Sequence, residues 1–307
     1  MPACENPPVS PAPLPLRHFL LALAVVSIWG SNFVIIKFAL DHLPPLLFAT
    51  LRFVFAALPA VLLLPRPDLP WRNLAAFGLL IGVGQCALLN LAMDGHITPG
   101  LASLVIQTQV FFTIGLSIHF NGERVHAVQW LALLLAAAGI VQIGCNTNGD
   151  TSVLGLALVL LGALTWAGGN IVSRHGRAVN MLAYVAWSSA FAIVPLLALS
   201  LMLEGPQRVV SSLRAADAAS WAAVLWQSWA NALFGYAVWG WLLGRHTAAT
   251  VMPMALLVPV FGMGVSAWWL GEALPAWKLQ AAALVLGGLG LNLLWPLLRA
   301  RLRGAPV

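Results

Sequence analysis

Apolar residues occur along most of this chain in runs of about 20, separated by short stretches that contain Pro, Gly and isolated charges. A run of about 20 apolar residues is the length that an α-helix needs to cross a bilayer. Ten such runs can be placed, so the pattern predicts ten transmembrane helices. Their predicted bounds are 19–39, 45–64, 73–93, 99–120, 127–145, 153–173, 181–203, 219–243, 249–270 and 276–297.

A polar segment lies inside the first run, and a similar one lies inside the sixth. Trp29-Gly30-Ser31-Asn32-Phe33 is followed by Lys37, and Trp166-Ala167-Gly168-Gly169-Asn170 is followed by Arg174. Similar segments at corresponding places in two halves of about equal length indicate an internal duplication. Because each half has five helices, the second half enters the membrane in the opposite direction. The sequence therefore predicts an all-α integral membrane protein with ten transmembrane helices, arranged as two inverted five-helix repeats.

The duplication also sets the predicted domain boundaries. Residues 1–16 form a Pro-rich tail that we expect to be disordered. The first five-helix repeat covers residues 17–147 and the second covers 148–299, followed by a C-terminal tail at 300–307. The longest connection between predicted helices, from Glu204 to Ala218, is too short for a folded soluble domain.

Composition excludes a soluble fold. Apolar residues make up 61% of the chain and charged residues 8%, and the mean hydropathy is +0.90. The lipid bilayer is therefore the surrounding medium. The net charge of +6 does not indicate a nucleic-acid partner, because the basic residues are scattered singly at the ends of apolar runs.

The distribution of Lys and Arg predicts the orientation. With the N-terminus inside the cell, ten basic residues fall on the inner side and five on the outer side, so both termini are predicted to be cytoplasmic. The inner set is Arg17, Arg66, Arg72, Arg124, Arg174, Arg177, Arg245, Arg299, Arg301 and Arg303, and the outer set is Lys37, Arg52, Arg208, Arg214 and Lys278.

The sequence shows no feature of an enzyme, a cofactor site or a metal site. No hydrolase motif falls at membrane depth, and the seven histidines lie near predicted helix ends without ligand spacing. The three cysteines are an odd number without short spacing, and we expect Cys86 and Cys145 to be buried as small apolar residues. No nucleotide-binding loop is present, so a transporter of this class would be a secondary one that moves a small-molecule substrate.

Several polar and aromatic side chains inside the predicted helices are candidates for substrate contact. Trp29 and Asn32 are three residues apart and share a helical face, where an indole wall and an amide suit a small zwitterion. Gln107 and Gln109 point to nearly opposite faces, and we choose Gln109 because it aligns with Pro259. For each residue the alternative is an interhelical hydrogen bond. The candidates are Trp29, Asn32, Gln109, Trp166, Asn170, Tyr236 and Trp239.

Four charged residues are candidates for gating or charge recognition: Lys37, Arg52, Glu123 and Glu272. Glu123 and Glu272 each precede the last helix of their half, where the alternative role is to cap or anchor a helix end. Lys37 can reach the interface by snorkelling. Arg52 lies inside the second helix, where it could bind a carboxylate or face an aqueous vestibule. No carboxylate lies at mid-membrane, so the sequence offers no obvious proton carrier.

These features resemble the EamA-type drug/metabolite transporter superfamily over nearly the whole chain. The resemblance rests on the Trp29 to Lys37 segment, Leu51-Arg52-Phe53, Gly122-Glu123-Arg124, Gly271-Glu272 and the five-plus-five duplication. It is closest to members that export O-acetylserine and cysteine, through Pro99 to Val105, Gln107 to Thr113, Ala167 to Ile171, Tyr236 to Gly240 and Leu256 to Val260. The chain departs from the general family at Gln109, where proline is common.

The resemblance implies a secondary transporter that exports small amino-acid metabolites, most specifically O-acetylserine and cysteine, across the inner (plasma) membrane of a bacterium. Two alternatives stay open: a broader exporter of aromatic amino acids or drugs, and a membrane protein that transports nothing. The sequence does not identify a coupling ion, nor does it decide between a monomer and a homodimer.

Overall fold

The computed structural model describes residues 14–121, 127–147, 151–176 and 180–302. Within these ranges the regular secondary structure is helical and contains no strand. Nine of the described helices are long and apolar enough to cross a membrane. The chain is therefore an all-α, multi-pass membrane protein, as its apolar runs predict.

The first seven helices coincide with the first seven predicted runs to within a few residues. They are α1 (Leu16–Leu40), α2 (Pro45–Leu63), α3 (Trp71–Met93), α4 (Pro99–Phe120), α5 (Ala127–Cys145), α6 (Val153–Arg174) and α7 (Met181–Glu204). Proline is the first residue of both α2 and α4, where its fixed φ suits a helix start and its missing N–H costs nothing.

The remaining helices include one that the apolar pattern does not predict. They are α8 (Pro206–Ala215), α9 (the consecutive segments Ala218–Leu225, Trp226–Phe234 and Gly235–Arg245), α10 (Met252–Leu270) and α11 (Ala276–Leu302). Helix α8 occupies the connection that was expected to be the longest loop. Helix α9 matches the eighth predicted run but is not one of the nine apolar spans, because Gln227, Ser228 and Asn231 lie in its middle.

Three local expectations differ from the structure or lie outside it. Helix α11 continues to Leu302, beyond the boundary expected at 299. Cys86 is buried as predicted, but Cys145 is exposed because it is the last residue of α5. The predicted disordered tail lies mostly outside the described residues, and the chain is already helical at Leu16.

Helices at equivalent places in the two halves pack against each other in opposite directions. Between α5 and α11, Gln129 pairs with Asn292 at 3.4 Å and Gln142 with Gln280 at 2.8 Å. Helices α2 and α7 are linked by two hydrogen bonds, from the Trp187 indole N–H to the Leu64 carbonyl at 3.2 Å and from the Leu46 amide to Glu204 at 2.6 Å. In each case an early residue of one helix meets a late residue of the other, so both pairs are antiparallel.

Glycines allow several of these helices to approach closely. A Cβ on Gly78 would collide with the Ser188 carbonyl, and one on Gly82 with the Ala192 side chain, so α3 lies directly against α7. Gly30 of α1 is similarly close to the backbone of α10 at Val258 and Gly262. These contacts agree with the enrichment of small residues at membrane helix interfaces.

Two adjacent glycines of α11 provide a matched test of this packing. A Cβ on Gly288 would lie 2.5 Å from the Ala132 carbonyl of α5, whereas a Cβ on Gly287 would meet no atom within 4 Å. We expect Gly288→Val to lower the free energy of unfolding by about 1–3 kcal/mol, because α5 must move away. Gly287→Val, with the same change in helix propensity, serves as the control. Equal melting temperatures of the two purified variants in detergent would contradict close packing at Gly288.

Candidate functional site

A narrow cavity lies where α2, α3, α7 and α9 converge. Its volume of about 10 Å³ is enough for roughly one water molecule. In the predicted duplication α2 corresponds to α7 and α3 to α9, so the cavity lies between elements that are predicted to correspond. We call it the central cavity, and it is lined by Arg52, Phe53, Ala56, Phe77, Gly78, Ile81, Val185, Ser188, Ser189, Ala232 and Tyr236.

Both α3 and α9 depart from α-helical geometry next to this cavity. Leu80–Cys86 in α3 and Trp226–Phe234 in α9 form π-helical segments, in which the hydrogen bonds span five residues instead of four. Each segment carries polar side chains, including Gln85 in α3 and Asn231 in α9. Such segments are frequent at functional sites because they redirect side chains and weaken the helix locally.

Arg52 provides the only positive charge among the residues that line the central cavity as described. Its Nη1 donates to the Cys86 sulfur, and the Cys86 thiol in turn donates to Gln85 Oε1 at 3.1 Å. The guanidinium carbon also lies 5.2 Å from the centroid of the Phe53 ring. Among the described residues, Arg52 Nε is buried without an acceptor. This side chain faces the cavity rather than the lipid.

Three of the predicted substrate residues form an aromatic cluster between α1 and α9. The ring centroid of Trp29 lies 5.2 Å from that of Trp239 and 5.8 Å from that of Tyr236. The Trp29 indole N–H donates to the Asn231 carbonyl at 3.0 Å, and the ring leaves no room for a Cβ on Gly235. Because Tyr236 lines the cavity, Trp29 and Trp239 support the wall behind it.

Asn32 lies one turn along α1 from Trp29 and is only 6% exposed. Its Oδ1 is buried without a hydrogen-bond donor among the described residues. An unsatisfied amide oxygen in a low-dielectric interior costs free energy, so this atom is a place where a donor would bind favourably.

Two other predicted residues meet between α4 and α6. Asn170 of α6 donates to Gln109 Oε1 at 2.8 Å and to Thr113 Oγ1 at 3.2 Å, both on α4. Trp166 is half-buried one turn earlier on α6. Gln107, which was not chosen, is buried and donates to the Ala255 carbonyl of α10 at 3.4 Å. Among the seven candidates, Trp29, Tyr236 and Trp239 therefore form one cluster and Gln109 and Asn170 a second, and only Tyr236 lines the cavity.

Glu272, which lies between α10 and α11, caps the first turn of α4. Its carboxylate accepts hydrogen bonds from the Thr98 hydroxyl at 2.6 Å, the Gly100 amide at 2.9 Å and the Ser266 hydroxyl. Lys278 Nζ lies 3.0 Å away, and the two side chains are only 6% and 8% exposed. Burial raises the pKa of Glu272, but the bonds from Ser266, Thr98 and Lys278 outweigh burial and hold the pKa below its usual value.

Glu204, at the end of α7, makes a second contact of the same kind that the sequence did not reveal. It accepts from the amides of Leu46 at 2.6 Å and Leu47 at 3.1 Å, in the first turn of α2, and from the Ser200 hydroxyl at 2.6 Å. Carboxylates suit helix N-termini because unpaired N–H groups and the helix dipole both attract negative charge. Two glutamates of the second half therefore bind helix starts of the first half.

The other charged candidates lie at the surface or outside the described residues. Lys37 forms an ion pair with Asp41 at 2.8 Å, and the side chains are 37% and 55% exposed. Glu123 lies outside the described residues.

Ser188 was missed from sequence although its hydroxyl is buried at the cavity wall, without a partner among the described atoms. The only signal in the sequence is the pair Ser188-Ser189 inside an otherwise apolar run.

Helices long and apolar enough to cross a membrane, packed around a small cavity lined by one arginine, two serines and a tyrosine, are compatible with a membrane transporter. Comparison with known sequences agrees with this class. The model of the EamA-like transporter family matches residues 16–145 and 153–294, and the chain belongs to that family.

Two curated relatives match over most of their length. A probable amino-acid metabolite efflux pump of Salmonella typhimurium is 40% identical over 278 residues, which cover 89% of this chain and 93% of that protein. A protein of Escherichia coli K12 with the same description is 38% identical over 279 residues, covering 89% and 93%. One crystal structure matches with a TM-score of 0.60 at 19% identity, covering 93% of this chain and 98% of the other, which supports the fold alone.

The buried contact of Glu272 with Lys278 can be tested through stability. We expect Glu272→Gln to lower the free energy of unfolding by about 3–5 kcal/mol, because Lys278 would stay buried without a counter-charge. Asp41→Asn, which breaks the exposed pair with Lys37, should cost about 1 kcal/mol or less. Denaturation of the purified proteins in detergent measures both changes, and equal losses would contradict a special role for the buried pair.

We also expect the stability contributed by Glu272 to depend on pH, and Glu272→Gln tests this. Since the pKa of Glu272 is depressed in the folded protein, its stabilisation is complete above the usual carboxyl value near 4.5. It is lost as the pH falls through the folded-state pKa. The stability difference between wild type and Glu272→Gln should therefore be constant at neutral pH and shrink in acid. A difference that grows in acid would be inconsistent with this assignment.

Proposed function

We propose that this protein is a secondary transporter that exports small amino-acid metabolites, most specifically O-acetylserine and cysteine. The observation that carries the proposal is the similarity, over about nine-tenths of the chain, to proteins described as probable amino-acid metabolite efflux pumps. The chemistry of the central cavity is compatible with it: one guanidinium, two serines and a tyrosine suit a small zwitterion better than a nucleotide sugar.

A second candidate function is broader export of aromatic amino acids or drugs. The cluster of Trp29, Tyr236 and Trp239 favours it, because these rings pack against one another, tilted by 52° and 55°, and Tyr236 lines the cavity. Under either function we assign substrate contact, or support of the walls that contact substrate, to the seven candidate residues. These are Trp29, Asn32, Gln109, Trp166, Asn170, Tyr236 and Trp239.

We further propose that α9 crosses the membrane with the nine apolar helices, which gives ten transmembrane helices in two inverted repeats. The antiparallel pairs α2 with α7 and α5 with α11 support this arrangement. Helices α4 and α10 add a third pair, because Thr98 meets Glu272 whereas Gln107 meets Ala255. Elements that are equivalent by duplication and opposite in direction are what inverted repeats produce.

We assign gating to the membrane face at which α1 ends. On this face Glu204 holds the start of α2 and Glu272 holds the start of α4, so both contacts join the two halves. Opening a path between the halves on this side requires these bonds to break. Lys37 and Glu123 stay proposed charge or gating residues, and Glu123 corresponds by sequence to Glu272 in the other half. The protein is placed in a bacterial inner membrane with both termini in the cytoplasm.

Export can be measured in a bacterium that makes excess cysteine. Overproducing this protein is expected to raise O-acetylserine and cysteine in the medium and to lower the intracellular pool. Trp29→Ala and Asn32→Ala should abolish this effect at unchanged membrane abundance. Trp268→Ala is a matched control, because Trp268 is 81% exposed on the outside of α10. If the medium is unchanged for both compounds while export of phenylalanine or a cationic dye rises, the substrate assignment is wrong.

The orientation has its own test. A reporter that fluoresces only in the cytoplasm, fused after Val307, is expected to give signal, because ten of the fifteen basic residues lie on the inner side of the ten-helix topology. A dark fusion, together with an active periplasmic phosphatase fused at the same site, would show that the C-terminus is outside and that the topology is wrong.

A further inference from the structure

The central cavity contains a positive charge whose hydrogen-bonding capacity is not used by the protein. Among the described residues, the ion pairs within 4.0 Å join Lys37 to Asp41 and Lys278 to Glu272, so no carboxylate of that part pairs with Arg52. A guanidinium has five N–H donors and keeps its charge at any accessible pH. The contacts given for it are a cysteine sulfur, which is a weak acceptor, and an aromatic ring.

Two donors at the cavity wall lack acceptors at the same time. Arg52 Nε and Ser188 Oγ are both buried without a partner among the described residues, and both side chains line the central cavity. Arg52 comes from α2 and Ser188 from α7, which are equivalent helices of the two halves. Leaving a charged donor buried and unpaired is costly, so the arrangement favours binding of an acceptor that enters the cavity.

The rest of the wall indicates what kind of acceptor fits. The lining residues carry a single positive charge, and the others are apolar, aromatic or hydroxyl-bearing. A phosphate group, with close to two negative charges at neutral pH, would be left partly unneutralised. A carboxylate has one charge and two oxygens, which match two N–H groups of a guanidinium in a bidentate pair.

We propose that Arg52 is the specificity residue that binds the α-carboxylate of the transported amino acid, and that the Ser188 hydroxyl donates to the same group. This inference rests on the proposed export of amino-acid metabolites. In the structure the cavity has room for about one water molecule, so the amino acid enters only when the helices around it move apart. Movement of α7 away from α3 would also separate the close contacts of Gly78 and Gly82 with α7.

The test compares acids with their methyl esters, which keep the ammonium group and side chain but lack the negative charge. Binding of cysteine, O-acetylserine and phenylalanine, and of each methyl ester, is measured by calorimetry on the purified full-length protein in lipid nanodiscs under reducing conditions. We expect wild type to bind at least one acid about 10- to 100-fold more tightly than its ester, the range for a hydrogen bond to a charged group.

The variants separate recognition from folding. Arg52→Gln should abolish the preference for the acid by weakening acid binding while leaving ester binding within about threefold. Arg52→Lys, which keeps the charge but not the planar fork, should retain only part of the preference. Ser188→Ala should reduce it about two- to tenfold. Arg66→Gln is the matched control, because the Arg66 guanidinium lies over the exposed ring of Trp71 and outside the cavity.

The outcomes distinguish the carboxylate role of Arg52 from the proposed export of amino-acid metabolites. If wild type binds an acid and its ester equally, or if folded Arg52→Lys and Arg52→Gln keep the full preference, the carboxylate role of Arg52 is wrong while export can still hold. If only phenylalanine binds, and its preference over the ester depends on Arg52, then the carboxylate site is supported and the cysteine-pathway assignment fails. If no amino acid binds to wild type, both proposals fail.

Discussion

The interior of a bilayer contains no water to satisfy polar groups, and this constraint determines which contacts hold the two halves together. Each polar side chain inside a helix must find a partner on another helix or bear the cost of being unsatisfied. In this protein many of those partners come from the other half of the chain: Gln109 with Asn170, Trp29 with the Asn231 carbonyl, and Glu272 with Thr98. The hydrogen bonds therefore do more than stabilise single helices, because they set how the halves fit.

The buried polar atoms that lack a hydrogen-bond partner are informative because the same constraint makes each of them costly. Among the described residues, the buried side-chain atoms without a hydrogen bond are Asn32 Oδ1, Arg52 Nε, Ser188 Oγ and Trp226 Nε1. Two of the four belong to residues that line the central cavity, and Trp226 begins the π-helical segment of α9. A helical membrane protein does not gain stability from such atoms. The two at the cavity wall, on Arg52 and Ser188, are explained if the substrate, rather than the protein, completes the hydrogen bonding there.

Much of the fold was predictable from sequence because the hydropathy of a segment indicates whether lipid or water surrounds it. Nine of the ten predicted runs appear as helices long and apolar enough to cross a membrane. The exception is α9, because the polar side chains of Gln227 and Asn231 lower its mean hydropathy. Hydropathy alone therefore underestimates a membrane helix that carries polar side chains. The amphipathic helix α8 was missed because it does not cross the membrane.

The candidate site was predicted less completely, because contacts between distant segments leave little trace in one sequence. The Trp29 and Asn170 segments were recognised from their recurrence, yet the structure gives them different partners, Trp239 of α9 and Gln109 of α4. Across the 3₁₀ segment Ile106–Thr108, Gln107 contacts α10 and Gln109 contacts α6, and a face argument alone does not identify these partner helices. Ser188 could not be distinguished from any other small residue in a packed helix.

Helix α2 carries both the contact with Glu204 in its first turn and Arg52 at the central cavity. Its first turn is held by Glu204, and Arg52 lies six residues after Leu46, which is less than two turns further along the same helix. A helix of this length moves as a nearly rigid body unless a kink interrupts it, and the proline inside α2, Pro59, comes after Arg52. Releasing Glu204 on the membrane surface therefore frees the same rigid segment that positions the guanidinium in the cavity. If, as we propose, a carboxylate binds Arg52 and this face opens when Glu204 is released, both events act on the same rigid segment of α2.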